Sequence, residues 1–557
     1  MTIKDKKNML NVGLIVDDPN KVSFLTNELI KLSKSQSDYK IKTIFINETF
    51  RNNNSNILSK INYFIKRRGF LKFIHYTAFS IIVFVEELFL KNLSKYKLIF
   101  QSFNIKDEFY QFVKLKPNLS NSGLYYSYNA SEINKIVRSK IDVLVRCGHG
   151  ILKGDILNCV KHGILSYHHG DNNVFRGGPP GFWEVYYKHH KSGFIIQKLN
   201  EELDGGEVLF KGSIATAFNF SLNRARLIMK SKVFMDILLR DISINFKRQN
   251  IKNKPYYDII FTTPNSFQQL NYILMILKKI FIKILSRLFY FHKNWKIGYL
   301  FVKKFDDIPL RKIKFIPSKF GVSMADPILL KKNNKKFIFI EQYTGKEQKG
   351  IISCIEILKN EKFKVYEDII KENFHLSYPY TFKVKQDVFM CPETHVKHEI
   401  RLYKAIDFPK KWEFYKTLIT NISAADTNIF FHNKKWWLFT NVCKSEFDRS
   451  SELHVFYADK FDSNFWTPHP QNPVIFDPLY ARNAGNIILK NNIIYRPFQT
   501  QSYDNYGNAS GLSKIKILTT KKYEEEILFN IKPNFLKRIN STHTYSYLDG
   551  LLCIDVK

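Results

Sequence analysis

The chain has 557 residues, of which 45% are hydrophobic and 15% aromatic, and its formal net charge is +36 at pH 7. This length exceeds what one hydrophobic core serves, so we expect at least two packed domains and exclude a disordered polymer. The charge suits nucleic acid, an anionic membrane or phosphorylated substrates, but a lysine-rich composition with abundant Ile and Asn accounts for it equally well. Six cysteines without a Cys-x-x-Cys pair favour a reducing cytoplasm and argue against a structural zinc site or a disulfide framework.

Short β-rich runs alternate with helical stretches in the first part of the chain. The predicted strands are Val12–Val16, Lys42–Ile46, Lys97–Gln101 and Ile141–Arg146, and the predicted helices are Ser23–Leu32, the apolar stretch ending at Leu93, and Ser131–Ser139. This alternation predicts an α/β fold with a parallel sheet, in which ligands gather at the carboxyl ends of the strands. The last strand runs into Cys147-Gly148-His149-Gly150, where the glycines allow close backbone approach.

Two apolar segments bear on membrane contact. Phe70–Leu90 contains charged residues that include Glu86 and Glu87, and Asn271–Tyr290 contains interleaved lysines and an arginine. A spanning helix needs about 20 nearly uncharged residues, so neither segment is a good candidate. The second segment is typical of a basic amphipathic helix, which either lies in a membrane interface or packs against another domain. We favour packing, with peripheral membrane contact as the alternative.

Paired β-runs around small polar turns replace the helical pattern after about residue 293. Five hairpin turns are predicted, 46 to 58 residues apart, at Asn333-Asn334, Gln386-Asp387, Asn433, Asn491-Asn492 and Asp549-Gly550. A β-unit that recurs about every fifty residues is the signature of propeller blades. We therefore predict an all-β five-bladed propeller, closed by pairing of the run from Trp295 with the last blade. An irregular β-sandwich is the alternative.

The densest cluster of chemically active side chains lies between Gly163 and Phe210. A predicted strand, Gly163–Tyr167, delivers His168 to a loop rich in Gly and Pro, and a later strand leads into an acidic turn that contains Asp204. A histidine at a strand end and an aspartate at a following turn can meet at one sheet edge. The carboxylate then fixes the imidazole tautomer and raises its basicity.

This stretch resembles the catalytic core of the formyl-folate-dependent formyltransferases, which include methionyl-tRNA formyltransferase and the sugar N-formyltransferases. His168 is followed by Arg176-Gly177, Pro180 and Leu203-Asp204-Gly205-Gly206, and 36 residues separate His168 from Asp204, as in that family. The resemblance covers about Leu10 to Lys211 and implies a Rossmann-like formyltransferase domain. It also implies N10-formyltetrahydrofolate as co-substrate. The residues expected to bind it are Arg146, Cys147, Gly148, His149, Gly150, Ile151 and Leu152, and Arg176 is a candidate for binding the acceptor substrate.

The resemblance further implies direct transfer, in which an amine attacks the formyl carbon and His168, oriented by Asp204, takes the proton. One position departs from the family pattern, because Ser166 stands where the family has an Asn that stabilises the oxyanion. An oxyanion donor is worth ~3–4 kcal/mol, so a weaker substitute would slow the reaction. Three interpretations stay open: Ser166 donates the hydrogen bond, a neighbour such as His169 or Asn172 contributes, or the domain is inactive.

The second half resembles the N-terminal domain of plant glucosamine inositolphosphorylceramide transferases, itself similar to five-bladed glycosidase propellers. The resemblance covers about Trp295 to Leu528 and includes the segment Leu376–Tyr380. Three acids occupy comparable positions within it, Asp326, Glu393 and Asp426, and are candidates for binding sugar. Paired carboxylates in a funnel could also hydrolyse glycosides, but we favour acids that bind sugar hydroxyls or stabilise the blade turns.

Together these features predict transfer of a formyl group to the amine of an amino sugar, phosphorylated as a sugar nucleotide or lipid-linked, in surface glycan biosynthesis. The expected domains are 1–250 (formyltransferase), 251–292 (helical basic linker) and 293–557 (propeller). We expect neither a metal nor a nucleic-acid partner, and a cytoplasmic location, at the inner face of the membrane for a lipid-linked substrate. The alternatives are a methionyl-tRNA formyltransferase, and a glycan-binding scaffold or glycosidase-like propeller joined to an inactive transferase domain.

Overall fold

A computed structural model describes residues 9–48, 62, 65–66, 69–108, 110–120, 124–248, 251, 255–288, 294–344, 349–443, 447–537 and 539–557. The chain folds into two compact units, Met1–Ile282 and Lys283–Lys557. The predicted basic linker includes residues 252–254 and 289–292, and the predicted amphipathic segment includes residues 289–290; these lie outside the described residues.

The first unit is an α/β structure. Its strands are β1 (Leu10–Val16), β2 (Tyr39–Asn47), β3 (Gln111–Leu115), β4 (Asn118–Leu119), β5 (Tyr125–Ser127), β6 (Val143–Arg146), β7 (Ile151–Leu152), β8 (Ile164–His168), β9 (Lys191–Lys198) and β10 (Glu207–Ala215). The helices are α1 (Phe24–Ser33), α2 (Phe70–Lys91), α3 (Ser94–Lys97), α4 (Ala130–Arg138), α5 (Phe182–Tyr186), α6 (Phe220–Ser231) and α7 (Phe234–Ser243), followed by α8 (Ser266–Leu288), which begins in this unit and continues past its last residue, Ile282.

Seven strands of this unit form one sheet in the order β10-β9-β8-β6-β1-β2-β3. The strands from β3 to β8 in that order run parallel, whereas β9 and β10 add an antiparallel edge. This confirms the predicted α/β class with a parallel sheet. The chain proceeds from β1 outward to β3 and then returns to place β6 on the other side of β1. The carboxyl ends of β1 and β6 therefore flank the crevice in which open α/β sheets bind ligands.

One predicted strand of this unit is wrong. Lys97–Gln101 was expected to be extended, but α3 ends at Lys97 and a 3₁₀ turn covers Leu98–Phe100. The side chains of Ile99 and Phe100 pack with Leu90 in a small apolar cluster. A short apolar run has too few residues for its periodicity to separate a buried strand from a helical turn. The third parallel strand is β3 instead.

Helix α2 is apolar and mostly exposed. Among the described residues it is the one helix long and apolar enough to cross a membrane by length and composition, against the expectation from its charged residues. Two of its side chains, Phe79 and Leu90, are buried. The Phe79 ring packs edge-to-face on Phe182 of α5 and lies beside Phe220 of α6. This contact fixes α2 on the surface of the first unit.

The second unit is all-β, as predicted. Its strands are β11 (Lys296–Phe301), β12 (Lys314–Phe315), β13 (Val322–Lys332), β14 (Lys335–Thr344), β15 (Gly350–Ile357), β16 (Phe363–Ile370), β17 (Ser377–Val384), β18 (Asp387–Glu393), β19 (Glu399–Asp407), β20 (Lys411–Thr420), β21 (Ala424–His432), β22 (Lys435–Val442), β23 (Glu452–Ala458), β24 (Thr467–Pro468), β25 (Ile475–Phe476), β26 (Arg482–Asn483), β27 (Ile488–Lys490), β28 (Ile493–Ser502), β29 (Asn505–Leu518), β30 (Tyr523–Ile531), β31 (Tyr545–Leu548) and β32 (Leu551–Val556). Over the described residues they form five antiparallel sheets: β12-β11-β32-β31, β13-β14-β15-β16, β17-β18-β19-β20, β21-β22-β23-β24 with β25 on β23, and β26-β28-β29-β30 with β27 on β28.

Two-residue turns form all five predicted hairpins, joining β13 to β14, β17 to β18, β21 to β22, β27 to β28 and β31 to β32. Both residues of the first turn have positive φ, 50° at Asn333 and 58° at Asn334. Turns of type I′ require this conformation, and Asn, Asp and Gly adopt it most readily. The turn after β17 comprises Lys385 and Gln386, one residue earlier than predicted.

Strands β11 and β32 join the beginning of the second unit to its end. They pair antiparallel, with Lys296 opposite Val556 and Phe301 opposite Leu551. The first sheet is therefore built from both ends of the unit. The pairing predicted for the run from Trp295 is present.

The first strands of three successive sheets share one irregularity. The pairing register of β13, β17 and β21 with the next strand shifts near the start of each strand. At each shift one residue has a positive φ: 52° at Asp326, 45° at Tyr378 and 49° at Asp426. Such bulges re-aim side chains and are common beside functional sites. Two of the three residues are acids that the sequence singled out.

Candidate functional sites

His168 and Asp204 form the centre of the candidate site in the first unit. His168 is the last residue of β8, and Asp204 lies in the turn between β9 and β10. The imidazole Nδ1 is 3.3 Å from a carboxylate oxygen of Asp204, and both side chains are largely buried. The imidazole Nε2 is buried and has no hydrogen-bond partner among the described residues. A histidine held by a carboxylate at Nδ1 keeps Nε2 available to accept a proton, as a general base requires.

Arg176 holds the acidic turn that carries Asp204. Asp204 has a φ of 51°, a left-handed conformation that Asp tolerates better than most residues. The buried Arg176 donates from Nε to the Asn172 carbonyl and from Nη1 to a Glu202 carboxylate oxygen, both at 2.8 Å. Its guanidinium also lies over the Tyr256 ring, 4.8 Å from the centroid. The structure thus places Arg176 as a link between the loop after β8 and the acidic turn.

Ser166 and Gln197 lie side by side on neighbouring strands. Ser166 is two residues before His168 on β8, so both side chains project from one face of the sheet, and Gln197 of β9 pairs directly with Ser166. The Ser166 hydroxyl donates to the Tyr167 carbonyl at 3.3 Å. Gln197 is 3% exposed, and its side-chain oxygen has no partner among the described residues. Buried unbonded polar groups in native proteins call for an explanation, and catalysis is one. The sequence interpretation missed Gln197, whose signal was a single amide inside an apolar strand.

His169 and Asn172, the two neighbours considered as substitutes for the missing Asn, differ in their hydrogen bonds. The His169 Nε2 is 3.0 Å from the Ser231 hydroxyl, and its ring stacks on Tyr167 with centroids 5.6 Å apart. Burial lowers the pKa of His169 to about 3, so its ring is neutral. Asn172 is buried, and its side-chain oxygen has no hydrogen-bond partner among the described residues. Among the described residues, the side chain of His169 is therefore hydrogen-bonded, whereas the side-chain oxygen of Asn172 is not.

The segment predicted to bind folate follows β6 and is tied to the end of β1. The Cys147 amide donates to the Ile15 carbonyl at 2.8 Å, and the His149 amide donates to the Asp17 carboxylate at 2.6 Å. The buried Arg146 guanidinium lies 3.4 Å from the same carboxylate. Burial alone would raise the pKa of Asp17, but the His149 hydrogen bond and the Arg146 charge lower it to about 2. Asp17 is thus an ionised anchor for the loop.

Two glycines keep this segment compact. A Cβ at Gly148 would lie 2.5 Å from an Asp17 oxygen, and one at Gly150, where φ is 85°, would lie 2.6 Å from the Tyr126 ring. The segment then enters β7, Ile151–Leu152, which pairs parallel with β5. It occupies the edge where the strand order reverses, next to the strand that carries Ser166. Its role in folate binding stays a prediction.

Gly170 packs against the free nitrogen of His168. A Cβ at this position would lie 2.7 Å from Nε2. Gly170→Ala is therefore expected to displace the imidazole and to lower kcat about 100-fold, because a misplacement near 1 Å costs that much. The matched control is Gly178→Ala in the same loop, where a Cβ would meet only Pro180 at 3.7 Å. Steady-state kinetics and thermal unfolding of both variants check this; an equal loss of kcat in the two would contradict it.

The second unit contains a cavity of about 430 Å³ rich in acidic side chains. Its lining includes Trp295, Asp326, Glu341, Glu393, Arg482 and His543. Two of the three predicted sugar-binding acids, Asp326 and Glu393, therefore face the cavity. The third, Asp426, reaches it through Arg482, whose Nε lies 2.6 Å from the Asp426 carboxylate.

Arg482 is the central cation of this cavity. Besides Asp426, its guanidinium approaches Glu393 at 3.7 Å and lies over the Tyr506 ring, 5.4 Å from the centroid. Burial alone would raise the pKa of Glu393, but a hydrogen bond with His395 and the Arg482 charge lower it to about 2. Glu393 is therefore ionised at neutral pH.

The pKa of Glu341 is shifted in the opposite direction to that of Glu393. Glu341 was not among the acids predicted from the sequence. It lies on β14, the second strand of its sheet, and lines the same cavity. Burial, together with the negative charges of Asp326 and Glu393, raises the pKa of Glu341 well above its ordinary value. Two carboxyls whose pKa values are driven apart are the arrangement that separates an acid from a base in glycoside chemistry.

Asp326, His543 and Asp555 form a buried triad at the cavity wall. His543 Nδ1 lies 2.6 Å from Asp555 and Nε2 lies 3.4 Å from Asp326, while the indole of Trp295 stacks on the imidazole at 4.1 Å. Burial alone would lower the pKa of His543. The negative charges of Asp555 and Asp326 outweigh this effect and raise the pKa. The three ligand atoms lie within 4.8 Å of one another, so this group could hold a metal ion, a site that the sequence interpretation did not identify.

The second unit is similar to a described protein family. Residues 312–546 match the family model of the N-terminal part of glucosamine inositolphosphorylceramide transferase 1. The rice enzyme of that name (Oryza sativa subsp. japonica) is 32% identical over 213 residues, 38% of this chain and 28% of the relative. The Arabidopsis thaliana enzyme is 27% identical over 224 residues, 39% of this chain and 28% of the relative. The chain thus spans 28% of the length of these relatives. The resemblance predicted for the second half is confirmed.

The predicted resemblance to formyltransferases is also confirmed. Methionyl-tRNA formyltransferase of Listeria welshimeri is 29% identical over 86 residues, 15% of this chain and 28% of the relative. Among solved structures, glycinamide ribonucleotide transformylase 1 from Symbiobacterium toebii matches 45% of this chain and 95% of its own, at 10% identity and a TM-score of 0.29. A family 117 glycoside hydrolase from Zobellia galactanivorans matches 47% of this chain and 90% of its own, at 10% identity and a TM-score of 0.31.

Proposed function

We propose that the first unit transfers a formyl group from N10-formyltetrahydrofolate to the amine of an amino sugar. The observation that carries this proposal is the largely buried His168, whose Nδ1 faces Asp204 while Nε2 has no hydrogen-bond partner in the described part of the chain. Sequence similarity to methionyl-tRNA formyltransferase supports the reaction type. For the acceptor, support comes from the similarity of the second unit to an enzyme named for glucosamine transfer.

His168 acts as the base in this proposal. Its Nε2 accepts the proton from the acceptor amine as the new bond to the formyl carbon forms, and it returns that proton to the departing N10 nitrogen. Asp204 stabilises the transient imidazolium through Nδ1. Arg176 keeps Asp204 in reach by bonding to Glu202 in the same turn. In place of the family's Asn, the Ser166 hydroxyl donates to the oxyanion after turning from the Tyr167 carbonyl, and Gln197 donates through its side-chain –NH2 group.

The direct test is to incubate the protein with N10-formyltetrahydrofolate and a panel of amino-sugar nucleotides and lipid-linked amino sugars. Mass spectrometry should show addition of one formyl group to at least one sugar. Transfer to charged initiator tRNA and to no sugar would favour the methionyl-tRNA reaction. Absence of folate binding, measured by calorimetry, would favour a glycan-binding scaffold with an inactive first unit.

Gln197→Leu is expected to lower kcat for formyl transfer by roughly 10²-fold, because it removes an oxyanion donor. Ser166→Ala in the same background should then lower kcat further, since both groups face the same oxygen. Gln269→Leu is unsuitable as a control because that amide is bonded; Gln36→Leu changes a glutamine outside the site and should leave kcat unchanged. A Gln197→Leu enzyme with the parent kcat would remove this residue from the mechanism.

For the second unit we propose a five-bladed propeller that binds glycan in its cavity. The five antiparallel sheets, the repeated bulges and the pairing of β11 with β32 support this arrangement. Asp326, Glu393 and Asp426 are the proposed sugar-binding acids, with Trp295 and Tyr506 available for stacking on sugar rings. Glycoside hydrolysis is the second candidate, and the divergent pKa values of Glu341 and Glu393 favour it.

Asp326→Asn and Glu341→Gln separate these two roles. A binding role predicts for Asp326→Asn roughly 10- to 100-fold weaker glycan affinity by calorimetry, since one hydrogen bond to a charged group worth about 1.5–3 kcal/mol is lost, and no hydrolysis by parent or variant. Turnover of aryl glycosides by the parent that disappears in Glu341→Gln would instead establish hydrolysis. Parallel unfolding curves would show that each variant is folded.

The domain limits 1–250, 251–292 and 293–557 and a cytoplasmic location complete the proposal. The six unpaired cysteines support a reducing compartment. A phosphorylated or lipid-linked acceptor accords with the net charge of +36.

A further inference from the structure

Helices α2 and α8 carry an exposed apolar surface, which we call the helix-pair surface. Its principal side chains, all exposed, are Phe84, Leu88 and Phe89 on α2 and Leu274, Leu277 and Phe281 on α8. On α8 the spacing of three, four and seven residues places the set on one face of the helix, and on α2 Phe84 and Leu88 are four residues apart, with Phe89 next to Leu88. Exposed apolar surfaces of this kind mark sites for a protein partner or a membrane.

The opposite faces of the two helices are fixed to the first unit. The Gln269 side chain donates to the His75 carbonyl at 2.8 Å, and the Tyr272 hydroxyl donates to Glu86. Phe79 packs on the ring of Phe182. Because α2 is held at several points along its length, it lies on the folded unit with its outer face free. This geometry suits a helix that lies in the plane of a membrane rather than one that crosses it.

The acids of α2 do not oppose contact with negative charge. Glu86 is partly buried, and this burial raises its pKa above the ordinary value despite hydrogen bonds from Tyr272 and Ser221. Glu87 lies 3.5 Å from Lys91 and 3.8 Å from Arg224. Helix α8 contains no acidic residue, and Lys278 and Lys279 lie between its exposed Leu277 and Phe281, while Lys283 pairs with Asp504 at 2.9 Å. The apolar side chains are therefore accompanied by positive charge.

We propose that the helix-pair surface docks onto an anionic lipid bilayer, with α2 and α8 inserted at the level of the headgroups. Charge decides between this occupant and a second copy of the chain. A second copy would bring another net charge of +36 against the first, whereas anionic headgroups attract the basic residues of α8. Docking on a bilayer does not depend on formyl transfer, and lipid binding alone tests it.

Flotation of the full chain with vesicles tests the proposal. Vesicles of phosphatidylglycerol and phosphatidylcholine should carry the protein, whereas pure phosphatidylcholine should carry at least 10-fold less. The double variant Phe84→Glu, Phe281→Glu should lose at least 10-fold of the bound fraction. The matched control is Phe320→Glu, which changes an exposed phenylalanine of the second unit and should bind like the parent.

Three results would overturn the proposal. One is equal binding by the double variant and the parent. Another is no vesicle binding together with a concentration-dependent dimer that the double variant abolishes, which would identify a second copy as the occupant. The third is resistance of the bound protein to extraction with alkaline carbonate, which would show a spanning helix instead of in-plane docking. Thermal unfolding of each variant shows whether the fold is retained.

Discussion

Replacing His168 by glutamine is expected to lower kcat for formyl transfer by roughly 10²–10⁴-fold, the usual contribution of a positioned general base. Glutamine fills similar space and can bond to Asp204, but it cannot accept a proton near neutral pH. The KM for the acceptor should change little, because the proposed role lies in the transition state. Single-turnover kinetics with the best acceptor from the sugar panel provide the measurement.

The matched control is His162→Gln, which changes a histidine before the start of β8 while His168 ends that strand. This variant should keep the parent kcat. Asp204→Asn should reduce kcat as well, and combining it with His168→Gln should add little, because the two residues act as one unit. A His168→Gln enzyme with full activity would remove His168 from the mechanism.

Replacing Arg482 by methionine is expected to destabilise the second unit by roughly 3–5 kcal/mol, the cost of leaving buried charges without their partner. The change leaves the ionised Glu393, 3.7 Å from the guanidinium, without this cation, and it removes the same cation from Asp426, which lies 2.6 Å away and whose pKa burial raises to about 8. Urea unfolding monitored by tryptophan fluorescence measures the difference. Arg401→Met is the control, since Arg401 pairs with Glu399 at 2.6 Å but both side chains are partly exposed, and it should cost about 1 kcal/mol or less.

The effect of Arg482→Met should depend on pH with a defined sign. The pKa of Glu393 in the parent is lowered to about 2, so its ionised form stabilises the fold above the ordinary glutamate pKa and this contribution is lost as pH falls toward 2. Without the guanidinium the folded-state pKa of Glu393 rises above its unfolded-state value. Ionisation of Glu393 then destabilises the fold as pH rises through the raised pKa. The difference between parent and variant should therefore be larger near pH 7 than near pH 4. A difference that grows on acidification would contradict the ion-pair assignment.

Local chemistry made much of the fold predictable. Four of the five hairpins follow from Asn, Asp or Gly at turn positions that have a positive φ, and this requirement involves only the two turn residues. His168 and Asp204 were predictable because each ends or follows a strand, and strand ends of one sheet edge lie close together.

The other site residues were not predictable from the sequence, because their positions depend on strand register and on contacts between distant parts of the chain. Gln197 meets Ser166 only because β9 pairs antiparallel with β8 at one specific offset, which no local pattern encodes. Glu341 likewise comes into the cavity with Asp326 and Glu393 through the packing of separate sheets. Arg176 was predicted to bind substrate, yet its guanidinium is engaged by Asn172 and Glu202, which lie in different loops. Side-chain partners across loops require three-dimensional structure.

The pairing of β11 with β32 determines when the second unit can fold during synthesis. The first sheet of the second unit cannot be completed until residues 551–556 have left the ribosome, because they supply the strand next to residues 296–301. The first unit contains no such dependence on later chain among the described strands of its main sheet, so it can fold while the second unit is still being made. A ribosome stalled shortly before residue 551 should thus carry a protease-resistant first unit followed by a second unit that proteases still cut.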